Sequence, residues 1–224
     1  MKVKLIAFTP NPEKIAAMAA KLTHTISTPE DLEKTSETEF KKILEHVLKL
    51  GHTSVIEHAS FTFSISGVSR ALTHQLVRHR IASYSQQSQR YVKLKKPSYI
   101  IPPNIEKNIE AKKEFIETIE QIWEKYNNLI KKGIPVEDAR YILPNATTSN
   151  IIVTMNARSL LNFFELRCCL HAQWEIRKLA NMMLREVKKV APTIFKNAGP
   201  PCKTRGICPE DKKNCPMYPS KKKK

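Results

Sequence analysis

The segment from Ser60 to Ser66 reads Ser-Phe-Thr-Phe-Ser-Ile-Ser, an unbroken alternation of apolar and polar residues. Side chains of a strand point alternately to its two faces, so Phe61, Phe63 and Ile65 share one face that must be covered. Two further segments carry strand character: residues 3–8 (VKLIAF) and the apolar run 148–155 (TSNIIVTM), which reads as a buried strand.

Helical periods fill much of the remainder. Pro12 to Leu22 forms one helix. A second begins at the capping-box pair Ser36 and Glu39, runs through FKKILEHVLKL and ends at Gly51. A short helix spans about Val68 to Val77, and a long amphipathic one Asn104 to Lys131, ended by Gly133 and Pro135. Glu137 to Leu143 is another short helix, stopped by Pro144. Asn156 to Leu170 and Ala172 to Val190 are helical, either as two helices or as one with a bend. From Ala191 onward Pro, Gly and Lys dominate, and the core is expected to have ended. Strands and helices do not alternate regularly, which predicts an α+β fold rather than a doubly wound sheet. The expected organisation is a single catalytic domain over 1–195 with a Cys/Pro/Lys-rich tail over 196–224.

The net charge is +17, from 38 Lys+Arg against 21 Asp+Glu. A field of that sign attracts anions, and nucleic acid, nucleotides, folates and membrane surfaces all fit. Part of the excess is the Lys221–Lys224 run, which reads as a solvated tail, so simple solubility is the competing account. No stretch approaches the ~20 apolar residues of a membrane-spanning helix. The start, MKVKLIAFTPNPEK, is charged again too soon for a signal peptide, which places the expectation in the cytoplasm. Five Cys, an odd number, argue against a disulfide framework.

The densest polar stretch is RHRIASYSQQSQRY, residues 78–91. It has no useful period and reads as an ordered loop, a usual place for binding. Arg78 and Arg80 flank His79, and two guanidinium groups so close require an anion or carboxylates. Their forked donors match phosphate oxygens. Gln86, Gln87, Ser88 and Gln89 can donate and accept, as recognition of an imide base or a sugar hydroxyl requires. A surface turn with solvated charges is the structural alternative.

A second constellation runs from Asn156 through Arg158, Asn162 and Arg167 to His171. Asn156 is a plausible N-cap. Arg158 and Asn162 are four apart, as are Arg167 and His171, so each pair would share a helical face. The apolar residues between them must face a core, so a half-buried Arg here needs a partner. An internal salt bridge to Glu165 or Glu175 would supply one without any function. The cluster His52, Ser54, Glu57 and His58 follows a helix end, and its spacing matches no metal motif, so no metal site is expected there. The tail places Cys202, Cys208 and Cys215 at C-x5-C-x6-C, either free thiols or three ligands of Zn²⁺ with a fourth from elsewhere.

Arg78-His79-Arg80, seven residues, then Ser88 resembles the RHR-x7-S signature of the flavin-dependent thymidylate synthases. NARSLLNFFELR and HAQWEIR, within 156–177, are similar to that family's second block, and GHTSVIEH to its early His-bearing block. The three stand in the family's order over about residues 50 to 177.

The resemblance implies an α+β thymidylate synthase-complementing fold, with a mixed or antiparallel sheet flanked by long helices. It further implies a homotetramer with active sites shared between subunits, and reductive methylation of dUMP to dTMP. The carbon donor would be 5,10-methylenetetrahydrofolate and the reductant NADPH acting through FAD. Carried over by position, Ser54, Arg78, His79, Arg80, Ile81, Gln86, Asn156, Arg158 and Asn162 would hold FAD. His52 and His171 would lie near the flavin and folate. Gln75, Arg78, Gln86, Gln87, Ser88, Gln89, Arg90, Arg140 and Arg167 would meet dUMP, with Arg167 activating the uracil. An Arg over the imide stabilises its deprotonated form and so raises reactivity at C5. Ser88 has no His–Asp partner beside it in sequence and reads as a ligand, not a nucleophile.

Two departures stand out. Gln86 replaces the Glu that many relatives carry, keeping hydrogen bonds but losing a charge, and Ser54 stands where Thr is common. Two competing classes remain. A nucleic-acid-binding module would need aromatics interleaved with Arg, and the loop offers only Tyr84 and Tyr91. A flavoprotein that had lost synthase activity would have no reason to keep Arg78, Ser88, Arg90, Arg140 and Arg167 together.

Overall fold

A computed structural model describes residues 1–94 and 96–219; the Lys221–Lys224 run lies outside them. In chain order the regular elements begin with β1 (Lys2–Phe8), α1 (Pro12–Leu22), α2 (Pro29–Leu32) and α3 (Glu37–Lys49). A 3-10 turn (Thr53–His58) precedes β2 (Ser60–Ser69), α4 (Arg70–Leu76) and β3 (Ser83–Gln86). Next come α5 (Pro103–Glu106), α6 (Ile109–Lys131), α7 (Val136–Ala139) and a 3-10 turn (Arg140–Ile142). The chain then forms β4 (Thr148–Asn156), α8 (Ala157–Arg167), α9 (Trp174–Val190) and α10 (Pro201–Thr204). The strands make one antiparallel sheet in the order β1-β2-β4-β3, so the fold is α+β. No helix among the described residues is long and apolar enough to cross a membrane.

The chain divides into two compact units, each assembled from separated stretches. The first gathers Met1–Lys2, Ile65–Arg78 and Tyr84–Ile152; the second gathers Val3–Ser64, His79–Ser83 and everything from Val153 onward.

In the first unit, β2 ends at a bend that Gly67 permits. Its φ is +66°, and an added Cβ would stand 3.4 Å from the Met1 nitrogen, so a side chain is opposed by both backbone and space. The Gly67 N–H donates to Asn150 Oδ1 at 3.3 Å. Ser69 caps α4 by accepting from the Leu72 N–H. Helix α6 buries Ile119, Trp123 and Tyr126, one stripe at helical spacing. The expected single helix from Asn104 to Lys131 is instead two. Asn108 adopts an extended conformation and caps α6 by accepting from the Ala111 N–H at 3.0 Å. A short polar side chain competing for backbone donors breaks the helix where the apolar period alone would continue it.

In the second unit, α3 is capped by Ser36, which accepts from the Glu39 N–H. The helix ends in a Schellman motif: Gly51, at φ +78°, donates to the Leu48 carbonyl at 3.1 Å, and His52 donates to that of Val47 at 2.9 Å. That stop launches the 3-10 turn carrying Ser54 and Glu57. Phe61 and Phe63 of β2 are fully buried, as their alternation requires, and so is Ile65 in the first unit. Phe61 meets Phe195 edge-on at 5.4 Å, Phe195 meets Phe164 at 5.9 Å, and Phe164 meets Phe163 at 5.7 Å. Aromatic pairs in this geometry add about 0.5–1.5 kcal/mol each beyond their burial.

Several expectations need correction. The core does not end at Ala191, since Ala191, Ile194 and Phe195 are buried after α9. β4 is not buried on both faces; its burial alternates, leaving Asn150 and Ile152 outward. The bent-helix alternative for 156–190 is also excluded. α8 stops at Arg167, and Gln173 starts α9 by accepting from the N–H groups of Glu175 and Ile176.

Candidate active site

In the first unit, α4 carries Gln75, half-buried, and ends beside the exposed Arg78. The stretch read as a loop is in part a strand: Tyr84 and Gln86 of β3 face inward while Ser83 and Ser85 face out. Its alternation is between small and large polar residues, which a hydrophobic template misses. Tyr84 donates its hydroxyl proton to the Leu76 carbonyl at 2.8 Å, and burial pushes its pKa up to about 12, so it stays a donor. Gln86 donates to Thr73 Oγ1 at 3.1 Å and Ser149 Oγ at 3.0 Å. Its amide nitrogen thus ties the strand to α4 and β4. A carboxylate there would have to accept from those two hydroxyls instead.

Past β3, Gln87 pairs with Asn150 through backbone and side chain, each at 2.9 Å. Ser88 Oγ accepts from the N–H groups of Arg90 at 3.0 Å and Tyr91 at 3.4 Å, a turn that fixes the chain at the end of the signature. Gln89 has a buried amide nitrogen with no partner among the described residues. An orphaned buried donor costs about 1–3 kcal/mol and is relieved by any acceptor placed against it. Arg90 lies over the Tyr91 ring at 5.1 Å and donates Nε–H to Glu137 Oε2 at 2.5 Å.

Arg140 and Arg70 complete this unit. Arg140 donates to the Glu137 carbonyl at 3.0 Å, and the carboxylate of Glu137 is taken by Arg90. Arg70, half-buried, has its pKa held below the ordinary guanidinium value by burial first and by the charge of Arg140 second. Neither Arg70 nor Arg140 has a carboxylate partner among the described residues. A half-buried guanidinium whose charge is disfavoured by a neighbouring one, with no carboxylate partner among the described residues, is what a bound dianion would neutralise. Arg70 was not singled out from the sequence. One signal was present: it opens α4, whose first turn holds no acidic residue, and a cation there opposes the helix dipole.

In the second unit, Asn156 is both the last residue of β4 and the cap of α8, accepting from the Ser159 N–H at 2.8 Å. The Ala157 N–H donates to the Ala59 carbonyl at 2.8 Å, which fastens the helix start to the segment carrying Ser54. Arg158, second in the helix, donates to Glu57 Oε1 at 2.5 Å. Glu57 offsets the cost of a cation at that end of the dipole. Asn162 is exposed one turn further on, as are Ser54, His52, Arg80 and Ile81.

Arg167, half-buried at the end of α8, donates Nε–H to His79 Nε2 at 3.1 Å. The His79 ring stands edge-on to Phe163 at 4.9 Å. Burial first, and the Arg167 charge second, lower its pKa to about 4, so it is a neutral acceptor at ordinary pH. The partner expected for each of Arg158 and Arg167 exists, and neither of those described here is Glu165. Glu57 and His79 supply it, and Glu165 pairs with Arg205. His171 is exposed beyond the helix end, so it does not share a helical face with Arg167 as spacing suggested.

The geometry defines a class: an α+β protein with one unit furnished for an anionic, hydrogen-bonding ligand and another presenting a helix start with Arg and Asn. The model for the family described as thymidylate synthase complementing protein matches residues 4–193. Three similar proteins each bear the name flavin-dependent thymidylate synthase. That of Clostridium tetani is 53% identical, covering 96% of this chain and 93% of the relative. That of Geobacter sulfurreducens is 50% identical, covering 96% and 94%, and that of Pyrococcus horikoshii 46%, covering 94% and 90%. The chain belongs to the thymidylate synthase complementing protein family.

Proposed function

We propose that the chain is a flavin-dependent thymidylate synthase, converting dUMP to dTMP with methylenetetrahydrofolate as carbon donor and NADPH as reductant. The observation that carries the nucleotide half is the Arg70–Arg140 pair, two half-buried cations without a carboxylate, in the unit that also holds the orphaned Gln89 amide. A phosphate suits the first, and a carbonyl of an imide base or a sugar hydroxyl suits the second.

In this reading Gln75, Arg78, Gln86, Gln87, Ser88, Gln89, Arg90 and Arg140 bind dUMP, and Arg70 joins them. Arg167 is the catalytic residue, stabilising the charge of the deprotonated uracil imide. Its Nε–H donates to His79, which orients the guanidinium at the end of α8. The exposed polar residues of the second unit fit FAD. Ser54, His79, Arg80, Ile81, Asn156, Arg158 and Asn162, together with Arg78 and Gln86, would hold it, with His52 and His171 toward the flavin and folate. Bound there, FAD would supply the hydride-transfer chemistry that the reduction by NADPH requires. Arg80 is exposed without a partner among the described residues, and Arg158 is 56% exposed despite Glu57, so both can reach a pyrophosphate.

The reading extends to the thymidylate synthase-complementing fold, to a homotetramer with active sites shared between subunits, and to a cytoplasmic enzyme. Catalysis resides in residues 1–195, with 196–224 as an appended tail; neither a membrane nor nucleic acid is required. The test is the visible spectrum of the purified protein, followed by anaerobic NADPH with and without dUMP. A flavin that bleaches faster with dUMP present supports the proposal; a colourless protein that takes up no FAD overturns it.

A further inference from the structure

The tail cysteines do not stand alone. Cys202, Cys208 and Cys215 line one cavity of about 180 Å³ together with Cys169 and His171, from the segment just beyond α8. All four cysteines are half-buried and none is in a disulfide. Much of the remaining wall is apolar, with Leu166, Pro201 and Met217. The fifth cysteine, Cys168, points elsewhere: it is buried, and burial pushes its pKa up to about 12.

A single ion does not suit this arrangement. Zn²⁺ draws its thiolates to about 2.3 Å, which crowds the sulfurs together. Among the described residues no three His, Cys, Asp or Glu groups stand close enough to hold one ion. Four thiols set around a small, largely apolar chamber suit a larger guest. A four-iron, four-sulfide cubane is several ångströms across, takes one thiolate at each iron, and is sheltered by apolar walls.

The local chain supports such a guest. A tight turn follows Cys208, closed by the Asp211 N–H donating to the Cys208 carbonyl at 3.1 Å, and another follows Cys215, closed by Tyr218 donating to the Cys215 carbonyl at 2.8 Å. The Tyr218 hydroxyl reaches Asp211 at 2.7 Å and ties the two turns together. Proline follows both Cys208 and Cys215, as it does at the close of ferredoxin-type cysteine runs, although the spacing here is wider. Glu165 and Glu210 also line the cavity, with Arg205 paired to Glu165, and Lys203, Lys212 and Lys213 lie nearby in sequence. Beyond α10 the described residues of the segment form no regular element; small loop-rich segments are usually stapled by metal or disulfide.

We propose that Cys169, Cys202, Cys208 and Cys215 bind a four-iron, four-sulfide cluster that staples the tail to the end of α8. This goes beyond the synthase reading and does not depend on it.

The test uses the full chain, purified without oxygen and then reconstituted with ferrous iron and sulfide. Expected are about four iron and four acid-labile sulfide per chain, and a paramagnetic resonance signal on dithionite reduction that flavin does not give. Cys202→Ser, Cys208→Ser, Cys215→Ser or Cys169→Ser should each lower bound iron several-fold, while Cys168→Ala retains it. Wild-type iron, sulfide and resonance decide the matter even if the variants fold poorly. Stoichiometric zinc, or four freely alkylated thiols with no iron after reconstitution, would overturn the proposal. Either result would leave the synthase reading intact, because dTMP formation is assayed separately.

Discussion

The two units differ in how far side chains of the protein pair their arginines. In the second, three guanidinium groups have a side-chain acceptor: Glu57 for Arg158, His79 for Arg167, Glu165 for Arg205. In the first, Arg90 takes the Glu137 carboxylate, whereas Arg70 and Arg140 have no carboxylate partner among the described residues, and the Arg140 charge disfavours that of Arg70. A guanidinium that the fold has already satisfied is held in place; one that it has not satisfied is stabilised by a ligand. Under the proposed function, a ligand would complete the charge arrangement of the first unit, while that of the second is arranged in advance.

If arrangement in advance serves chemistry, the largest effect should follow removal of Arg167. Arg167→Ala should lower dTMP formation by roughly 100- to 1000-fold, the cost of losing one preorganised donor, while the protein still purifies yellow with FAD. Unchanged turnover would reduce the His79–Arg167 contact to packing.

The next largest effect belongs to the first unit. Arg70→Ala or Arg140→Ala should cost about 1.5–3 kcal/mol of dUMP binding, a KM rise of roughly 10- to 100-fold, because a charge-assisted hydrogen bond is lost. Steady-state kinetics should show kcat little changed. A KM equal to wild type in both variants would show that the unpaired cations are not completed by nucleotide.

Smaller again is Arg158→Ala. Its side chain is more than half exposed, and exposed pairs contribute about 0–1 kcal/mol, so FAD retention should weaken only several-fold. Titration of the apoprotein with FAD measures this, and an unaltered affinity would remove Arg158 from the cofactor site.

The last effect is a slope. His79 is neutral when folded, with a pKa of about 4, and takes a proton near 6.5 when unfolded. Between those values the unfolded chain binds more protons, so stability rises with pH there and is lost as pH falls from 6.5 towards 4. Thermal midpoints across that window should climb more steeply for wild type than for His79→Gln. Equal slopes would mean that the ring is not held neutral.

Much of this site was legible in the residues. The Arg78–Tyr91 stretch, the Asn156 cap, the Arg158 and Arg167 pair needing partners, and the alternation at Phe61, Phe63 and Ile65 all follow from local chemistry. Helix starts at Pro12 and Ser36 and the stop at Gly51 follow from capping rules that act within a turn. What was missed shares one physical cause, which is partnership over distance. Thr73 and Ser149 reach Gln86 from α4 and β4, Glu57 reaches Arg158 across 101 positions, and His79 reaches Arg167 across 88.

The sequence by itself determined where helices and strands begin, which faces are apolar and which residue types gather for anionic ligands, because those depend on side chains within a few positions of each other. Only the tertiary structure decided which charges are paired with one another and which have no carboxylate partner among the described residues. It also decided that Gln86 is an internal strut, that α8 ends before His171, and that Cys169 shares a chamber with three cysteines of the tail. Pairing is set by whatever folding brings within hydrogen-bond reach, and no local pattern encodes that distance.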